Sequence, residues 1–338
     1  MSTIYITSNN GILQKDGDIL IYQDHTGLRV KVAPRMVDLI IVLGNMSLTG
    51  PAIDLLLQQT IPVFFLQKNG KWNGKLIGSD NQNTLLRHKQ HVLAEDSKFI
   101  ATMAQDIVRG KLKNELLYLQ KIQRKLNKPS LTKNVERISW ILDKLDNTKD
   151  VDEVRGYEGN AARLYFEGLS VNLLPDWVSF QRRTKNPPRD PVNSVLSFLY
   201  TVLACKIDSL LLREGLDDTV GTLHAMSYGR KSLVFDLVEE YRTPLVDTTV
   251  CALFNQGMLK KTDFTEEKDV ESGDKKVLLG PKSMKVVLDQ FESKLSQTHR
   301  YNDSASSLPY RSIMERQIQQ YKQVLGGFTD HYHPLVVT

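Results

Sequence analysis

His224, Asp236 and Glu239 stand within sixteen residues of one another in GTLHAMSYGRKSLVFDLVEEYRTPLVD, residues 221–247. One imidazole with two carboxylates is a donor set for a divalent metal, the oxygens suiting Mn²⁺ or Mg²⁺ and the nitrogen Zn²⁺ or Mn²⁺. Another acid, Glu158, lies in VRGYEGNAARLYFEGL, where Glu158, Ala161, Ala162, Tyr165 and Leu169 recur at spacings of three and four. That periodicity puts Glu158 on the face of a helix that should be buried. A carboxylate there costs roughly several kcal/mol unless it is paired, protonated or bound to a cation. An ion pair with Arg155 or Arg163 is the structural way to compensate it. A cation shared with other acids is the chemical way. The pair Ala161 and Ala162 predicts a second helix close by, which would bring other side chains within reach.

The elements that must position these groups follow from the pattern. Ser232 reads as the N-cap of a helix whose apolar positions are Leu233, Val234, Leu237, Val238 and Tyr241, with Pro244 stopping it. Asp236 and Glu239 share one flank of that helix, but Glu240, four positions after Asp236, competes for the inward place. His224 is expected to close a preceding helix, with SYGRK turning the chain back. No local spacing brings Glu158 to the other two.

The chain changes texture near residue 80. Before it, short β-like runs at 4–6, 18–22, 28–34, 38–44 and 61–67 are separated by turn signals such as KDGD and KNGKWNG. Alternation in GDILIY and LRVKV predicts antiparallel strands with one wet face, and LIIVLG a strand buried on both. TGPAIDLLLQQ predicts one short helix, capped by Thr49 with Pro51 in its first turn. After it, helices are expected at 85–107, 109–127, 132–145, 151–169, 191–213, 216–226, 232–242, 244–256, 281–295 and 309–325. The fold class is therefore α+β: a small N-terminal all-β domain, sandwich-like with one short helix, then a larger all-α domain. The expected boundaries are 1–80 for the β domain, 81–84 for a linker, 85–325 for the helical domain and 326–338 for a C-terminal tail. The charged, Gly-containing stretch 265–280 is expected to form an exposed hairpin or mobile loop.

Composition narrows the function. The chain has 338 residues, 41% hydrophobic and 25% charged, with a formal charge of +5 and a pI near 8.9. Those values fit an ordinary globular protein and permit nucleic-acid binding without demanding it. MSTIYITSNN lacks the basic start and apolar stretch of a secretory signal, and LSFLYTVLAC is about half of a bilayer crossing; a cytoplasmic protein without membrane attachment is expected. Cys205 and Cys251 have no ligand-type spacing and read as small core residues. The absence of a compact Ser, Cys or Gly-rich motif disfavours a small-molecule hydrolase. The helix face at 109–128 is basic, and in QRRTKNPPR two prolines leave Arg182, Arg183, Lys185 and Arg189 on a loop that could touch phosphate.

RGYEGNAARLYF, NPPRDPVNSVLSFLYTVL and GLDDTVGTLHAMSYGRKSLVFDLVEEYRTPLVD occur in that order. Together with LIIVLGNMSLTGPAIDLLLQQTIPVFFLQKNGKWNGKL they resemble the CRISPR-associated integrase family, the core subunit of spacer acquisition, over about residues 4–325. The resemblance implies an N-terminal β domain that dimerises and a helical catalytic domain. It implies a homodimer assembled with a small ferredoxin-like partner around double-stranded DNA, both protospacer and CRISPR repeat. It implies catalytic metal ligands at Glu158, His224 and Glu239 for Mg²⁺ or Mn²⁺, with Asp236 as support and recurring positions at Asn193 and Arg242. Thr222, where the family often has an aromatic residue, and the 265–280 stretch depart from the pattern. The implied reaction is metal-dependent attack of a DNA 3′-hydroxyl on a repeat phosphodiester. A general nuclease on branched or single-stranded DNA, or a non-catalytic DNA-binding scaffold, are the alternatives.

Overall fold

The computed structural model of the chain describes residues 2–8, 10–67, 70–79, 83–173, 175–269, 273–301 and 307–337. The chain divides into two compact units, Met1–Asn83 with Thr201–Gly215, and Thr84–Tyr200 with Leu216–Thr338. Part of the 81–84 stretch read as a linker lies outside the described residues.

The N-terminal unit carries β1 (Ser2–Ile6), β2 (Gly11–Asp16), β3 (Ile19–Gln23), β4 (Arg29–Val32), β5 (Val37–Val42), β6 (Met46–Leu48), α1 (Gly50–Gln58), β7 (Val63–Leu66) and β8 (Trp72–Leu76). They form two four-stranded sheets, β1-β5-β7-β8 and β4-β3-β2-β6. One apolar core joins them, with Ile6, Ile40, Val42 and Val63 from the first sheet, Leu13, Leu20 and Tyr22 from the second, and Ala52, Leu55 and Leu56 from α1. This is the sandwich-like β unit with one short α-helix. The alternating run at residues 18–22 pairs antiparallel on both sides, β2 to β3 to β4. Asp16 faces Ile19 across a two-residue turn in which Gly17 has φ 57°, the conformation a tight hairpin needs. VDLIIV of β5 lies between β1 and β7, parallel to both, as its unbroken apolar run predicts. Three strands were not anticipated: β2, β6 and β8, whose sequences GILQKD, MSL and WNGKL are short or rich in turn residues. Pairing with a neighbour, rather than propensity, makes them strands.

The second unit begins with α2 (Thr84–Leu93) and α3 (Ser97–Leu126), followed by α4 (Thr132–Leu145) and α5 (Val151–Ser170). Then come α6 (Pro191–Arg213), of which Thr201 onward groups with the N-terminal unit, α7 (Ser232–Tyr241), a π-helical segment (Arg242–Asp247) and α8 (Thr248–Asn255). The ribbon β9 (Phe264–Lys268) with β10 (Lys275–Leu279), α9 (Pro281–Ser296), the ribbon β11 (Thr298–Arg300) with β12 (Ser307–Pro309), and α10 (Tyr310–Gly326) complete it. The unit is thus mostly helical with two small ribbons, the first of them the hairpin expected at 265–280, whose residues 270–272 lie outside those described. By length and composition α6 could cross a membrane, with mean hydropathy 1.8 over its most apolar window, but 72% of that window is buried inside the protein. It is a core helix, and Cys205 and Cys251 are buried as expected.

Four local readings are corrected. The expected break at residue 108 falls instead at 94–96, where Asp96 caps α3 by accepting from Lys98 N–H at 2.8 Å and Phe99 N–H at 3.3 Å. Gly110 then lies inside α3, and a Cβ there would stand 2.4 Å from Pro334, so a close packing contact explains that glycine. No helix forms at 216–226. Pro244 does not stop α7, because the chain passes through the π-helical segment into α8. Finally, residues 326–338 do not trail away: Tyr332 and Leu335 are buried.

Candidate active site

Asp236 organises the site. Its Oδ2 accepts from Thr222 N–H at 2.6 Å and Leu223 N–H at 3.0 Å, and its Oδ1 from His224 N–H at 2.9 Å. Three consecutive backbone donors therefore point at one carboxylate instead of an i−4 carbonyl ladder, which is why 216–226 is not helical. Asp217 turns the start of the segment, accepting from Thr219 N–H at 2.9 Å. A Cβ on Gly221 would meet Asp236 Oδ2 at 2.7 Å, so only glycine lets the loop come this close. Ser232 is not the cap; it is the first residue of α7, after Lys231, and its hydroxyl donates to Ala225 C=O at 3.0 Å.

The same carboxylate orients the imidazole. His224 Nδ1 is 2.8 Å from Asp236 Oδ1; a carboxylate only accepts, so Nδ1 carries a hydrogen and Nε2 is the ring nitrogen left to face other partners. Nε2 then faces Glu239 Oε1 at 3.9 Å. Arg155 on α5 donates to Leu223 C=O at 2.6 Å, tying the helix of Glu158 to the loop of His224.

Lys111 on α3 joins the two glutamates. Its ammonium is 2.8 Å from Glu239 Oε2 and also donates to Glu158. Glu158 is 27% and Glu239 3% exposed at the side chain. Arg155 and Arg163 do not pair with Glu158: Arg155 is ion-paired to Asp152 and Arg163 to Glu167. Arg242 reaches Glu239 Oε1 at 2.9 Å. Burial alone would push the Glu239 carboxyl up, but the cations of Arg242 and Lys111, with His224, bring it down to about 2. Burial likewise acts to lower Lys111, and Glu239, Glu158 and Glu115 outweigh it to hold the ammonium above its usual range. One turn along α3, Glu115 is buried and pushed up to about 8 by desolvation.

Glu239 and Glu240 thus face different ways. Glu240 accepts from Tyr332 O–H at 2.7 Å, Gln317 Nε2 at 2.9 Å and Leu335 N–H at 2.5 Å, and burial raises it to about 7. Asn114 completes this back wall by donating to Leu335 C=O at 2.8 Å and accepting from Val337 N–H at 2.9 Å. The C-terminal segment therefore braces α3 and α7 from behind the site.

Beside Arg242 lies a second buried group. Asp247 accepts from Tyr165 O–H at 2.8 Å and Tyr200 O–H at 2.5 Å, and the guanidinium of Arg242 lies 4.6 Å above the Tyr200 ring. Asn193 folds the basic loop: its Oδ1 accepts from Thr184 N–H at 2.9 Å and Arg183 at 2.8 Å, and its Nδ2 donates to Arg182 C=O at 2.9 Å. Arg183 is thereby turned inward, and Arg189 is paired with Asp274 at 2.6 Å. Arg182 and Lys185 are exposed.

Glu158, His224, Asp236, Glu239 and Arg242 are brought into one cluster. Among the described residues, no group of His, Cys, Asp and Glu donors is gathered tightly enough to hold a metal ion by itself, because Lys111 stands between Glu158 and Glu239. Lys111 is not among the expected site residues, because the sequence places it on the basic face at 109–128. The signal was available in RGKLKNELL, where Lys111 shares the sequence with the apolar rather than the outer positions of α3, and it is buried. Asp247 was missed because nothing in its spacing distinguishes it.

Comparisons with known proteins give the family. Residues 4–293 match the family model described as CRISPR associated protein Cas1. The "CRISPR-associated endonuclease Cas1 3" of Thermus thermophilus is 30% identical over 339 aligned residues, covering 100% of this chain and 98% of that protein. Among solved structures, one named "Casposase bound to integration product" superposes with a TM-score of 0.84 at 22% identity, over 98% of this chain and 93% of that one. A chain of a "Cas6-RT-Cas1--Cas2 complex" gives 0.85 at 24% identity over 100% of this chain, which spans only 36% of that longer one. A β unit ahead of a helical unit, the order of its motifs and the match over most of its length agree: the chain belongs to the CRISPR-associated protein Cas1 family.

Proposed function

We propose that this protein is a metal-dependent DNA integrase and endonuclease of CRISPR adaptation, acting in the cytoplasm on short duplex DNA and a CRISPR repeat. One observation carries the reading: Asp236 holds His224 Nδ1, so that Nε2 turns toward Glu239, whose other oxygen shares the Lys111 ammonium with Glu158. An imidazole nitrogen and two carboxylates converging on a cation suit Mg²⁺ or Mn²⁺. The Asp236 hydrogen bond is the outer-shell partner such a histidine uses. Glu158, His224 and Glu239 would hold the ion, with the Lys111 ammonium yielding its place. When bound, the ion would polarise the target phosphate and neutralise developing charge.

The chain's own groups do the rest. Glu239, kept ionised by Arg242, needs no proton removed before it binds a cation. Arg242 stays beside it and offsets negative charge on a phosphodiester. Arg182 and Lys185 sit on the exposed face of the loop that Asn193 folds, where they position a DNA backbone without reading its sequence. A DNA 3′-hydroxyl attacks the repeat phosphorus, the new P–O bond forms, and the original 3′ oxygen leaves with the proton.

The names of relatives support the partners. A "Cas6-RT-Cas1--Cas2 complex" and a "Casposase bound to integration product" are among the similar folds, which supports a Cas partner and DNA; the proposal adds that the protein is a homodimer and that its partner is small and ferredoxin-like. The test mixes the protein, with and without that partner, with Mn²⁺, a short duplex bearing 3′-hydroxyls and a supercoiled plasmid carrying a repeat. Covalent joining lost in Glu158→Ala, His224→Ala and Glu239→Ala, with the fold retained, supports the proposal. Cut but unjoined DNA would indicate a general nuclease, and joining that survives all three substitutions a scaffold role for this cluster.

A further inference from the structure

Ten residues beyond Lys111 on α3, about 15 Å along the helix axis, Lys121 borders a cavity of about 240 Å³. Arg124 from the same helix, Lys294 from α9 and His299 from β11 also line it, and no acidic side chain among the described residues does. The cations act on one another instead: burial and then Lys121 lower the Lys294 ammonium, and burial and then Lys294 lower His299. Tyr310 forms part of the wall and is 0% exposed. Its hydroxyl and His299 Nε2 are both buried without a hydrogen-bond partner, and the two rings are 4.3 Å apart.

Two orphaned polar atoms on neighbouring rings are costly, and native structures keep few of them. In a cavity lined by basic side chains and no described acid, they are free to donate to an anion. We infer that this cavity binds a phosphate group, with Lys121, Arg124 and Lys294 balancing its charge and His299 Nε2–H and Tyr310 O–H donating to its oxygens. Three basic side chains with no carboxylate among them suit a phosphate dianion. The site is separate from the Glu158, His224 and Glu239 cluster. The phosphate is that of a DNA strand or a free phosphate ion, and only the former rests on the proposed function.

The test uses the full chain, titrated with inorganic phosphate, a 5′-phosphorylated single-stranded oligonucleotide, and the same oligonucleotide without its terminal phosphate. The His299 imidazole resonance, assigned by its loss in His299→Gln, reports occupancy, and dissociation constants are compared across variants of verified fold. Phosphate should shift that resonance. Lys121→Ala with Lys294→Ala should weaken binding at least tenfold, Tyr310→Phe about threefold, and Glu239→Gln should leave it unchanged. Preference for the phosphorylated oligonucleotide identifies a strand end, equal binding of both a backbone phosphodiester, and binding of inorganic phosphate alone a free ion; each upholds a phosphate site. An absent shift, binding indifferent to the double lysine substitution, or binding abolished by Glu239→Gln overturns it. Phosphate binding that persists when no DNA is joined would sink the integrase reading and leave this one standing.

Discussion

Glu239 and Glu240 are adjacent, equally buried and chemically identical, yet one is brought down to about 2 and the other pushed up to about 7. Desolvation acts on both in the same direction. The difference is in the partners: Glu239 meets the cations of Arg242 and Lys111, whereas Glu240 meets only neutral donors, from Tyr332, Gln317 and the Leu335 backbone. Neutral hydrogen bonds offset part of the burial penalty; full charges reverse it. One face of α7 is thereby kept anionic, and the other is a hydrogen-bonding hub that fastens the C-terminal segment. The two faces should fail in different ways when changed.

The largest effect is expected at the front. Glu239→Gln keeps the shape and removes the charge, and should lower DNA joining by about 10³-fold or more, measured as joined product per unit time at unchanged circular dichroism. Glu240→Ala should instead retain joining chemistry in the folded fraction but lose about 2–4 kcal/mol of stability, because it strands buried donors; urea unfolding measures it. A Glu240 variant that lost joining without losing stability would erase the distinction between the faces.

Acidity separates them again, with opposite signs. Since the folded state holds the Glu240 proton that an unfolded chain releases near pH 4.5, its contribution is present below pH 4.5 and is lost as pH rises through about 7. For Glu239 the contribution is present above pH 4.5 and is lost as pH falls through about 2. Urea unfolding from pH 4.5 to 7 should therefore show stability falling as pH rises, and falling less steeply in Glu240→Gln, the remainder belonging to Glu115, which burial pushes up to about 8. A smaller effect is expected at Gly221→Ala, which crowds Asp236 Oδ2: roughly 1–3 kcal/mol of stability and a loss of joining that follows displacement of His224. The smallest is at the exposed Arg163–Glu167 pair at 3.6 Å, where Arg163→Ala should change stability by less than about 0.5 kcal/mol. A larger loss there would mean that α5 is held by charges outside the site.

The two-part layout was legible because it rests on local periodicity. Alternation marked β3 and β4, an unbroken apolar run marked β5, and helical spacing marked α4, α5, α6 and α7 within a residue or two of their ends. Periodicity failed where the backbone bonds to something distant. Residues 222–224 look helical in composition but give their N–H groups to Asp236, twelve to fourteen residues on. β2, β6 and β8 became strands through pairing, and the C-terminal segment became ordered by landing on Glu240, Asn114 and Asp106.

For the site, the chain's residues by themselves determined which groups have the chemistry: Glu158, His224, Asp236 and Glu239 were all readable as acids or bases on or beside faces meant to be buried. Tertiary structure alone decided their company. Lys111 comes from a helix more than a hundred residues before Glu239, and although helical spacing puts it among the apolar positions of α3, its place between two carboxylates does not follow from that spacing. The same holds for the choice between Glu239 and Glu240 as the inward acid, since α7 is buried on both sides and the question has no meaning until both neighbours are in place. Local sequence sets backbone preference and side-chain chemistry; charge and hydrogen-bond partners across long separations exist only after the chain has packed.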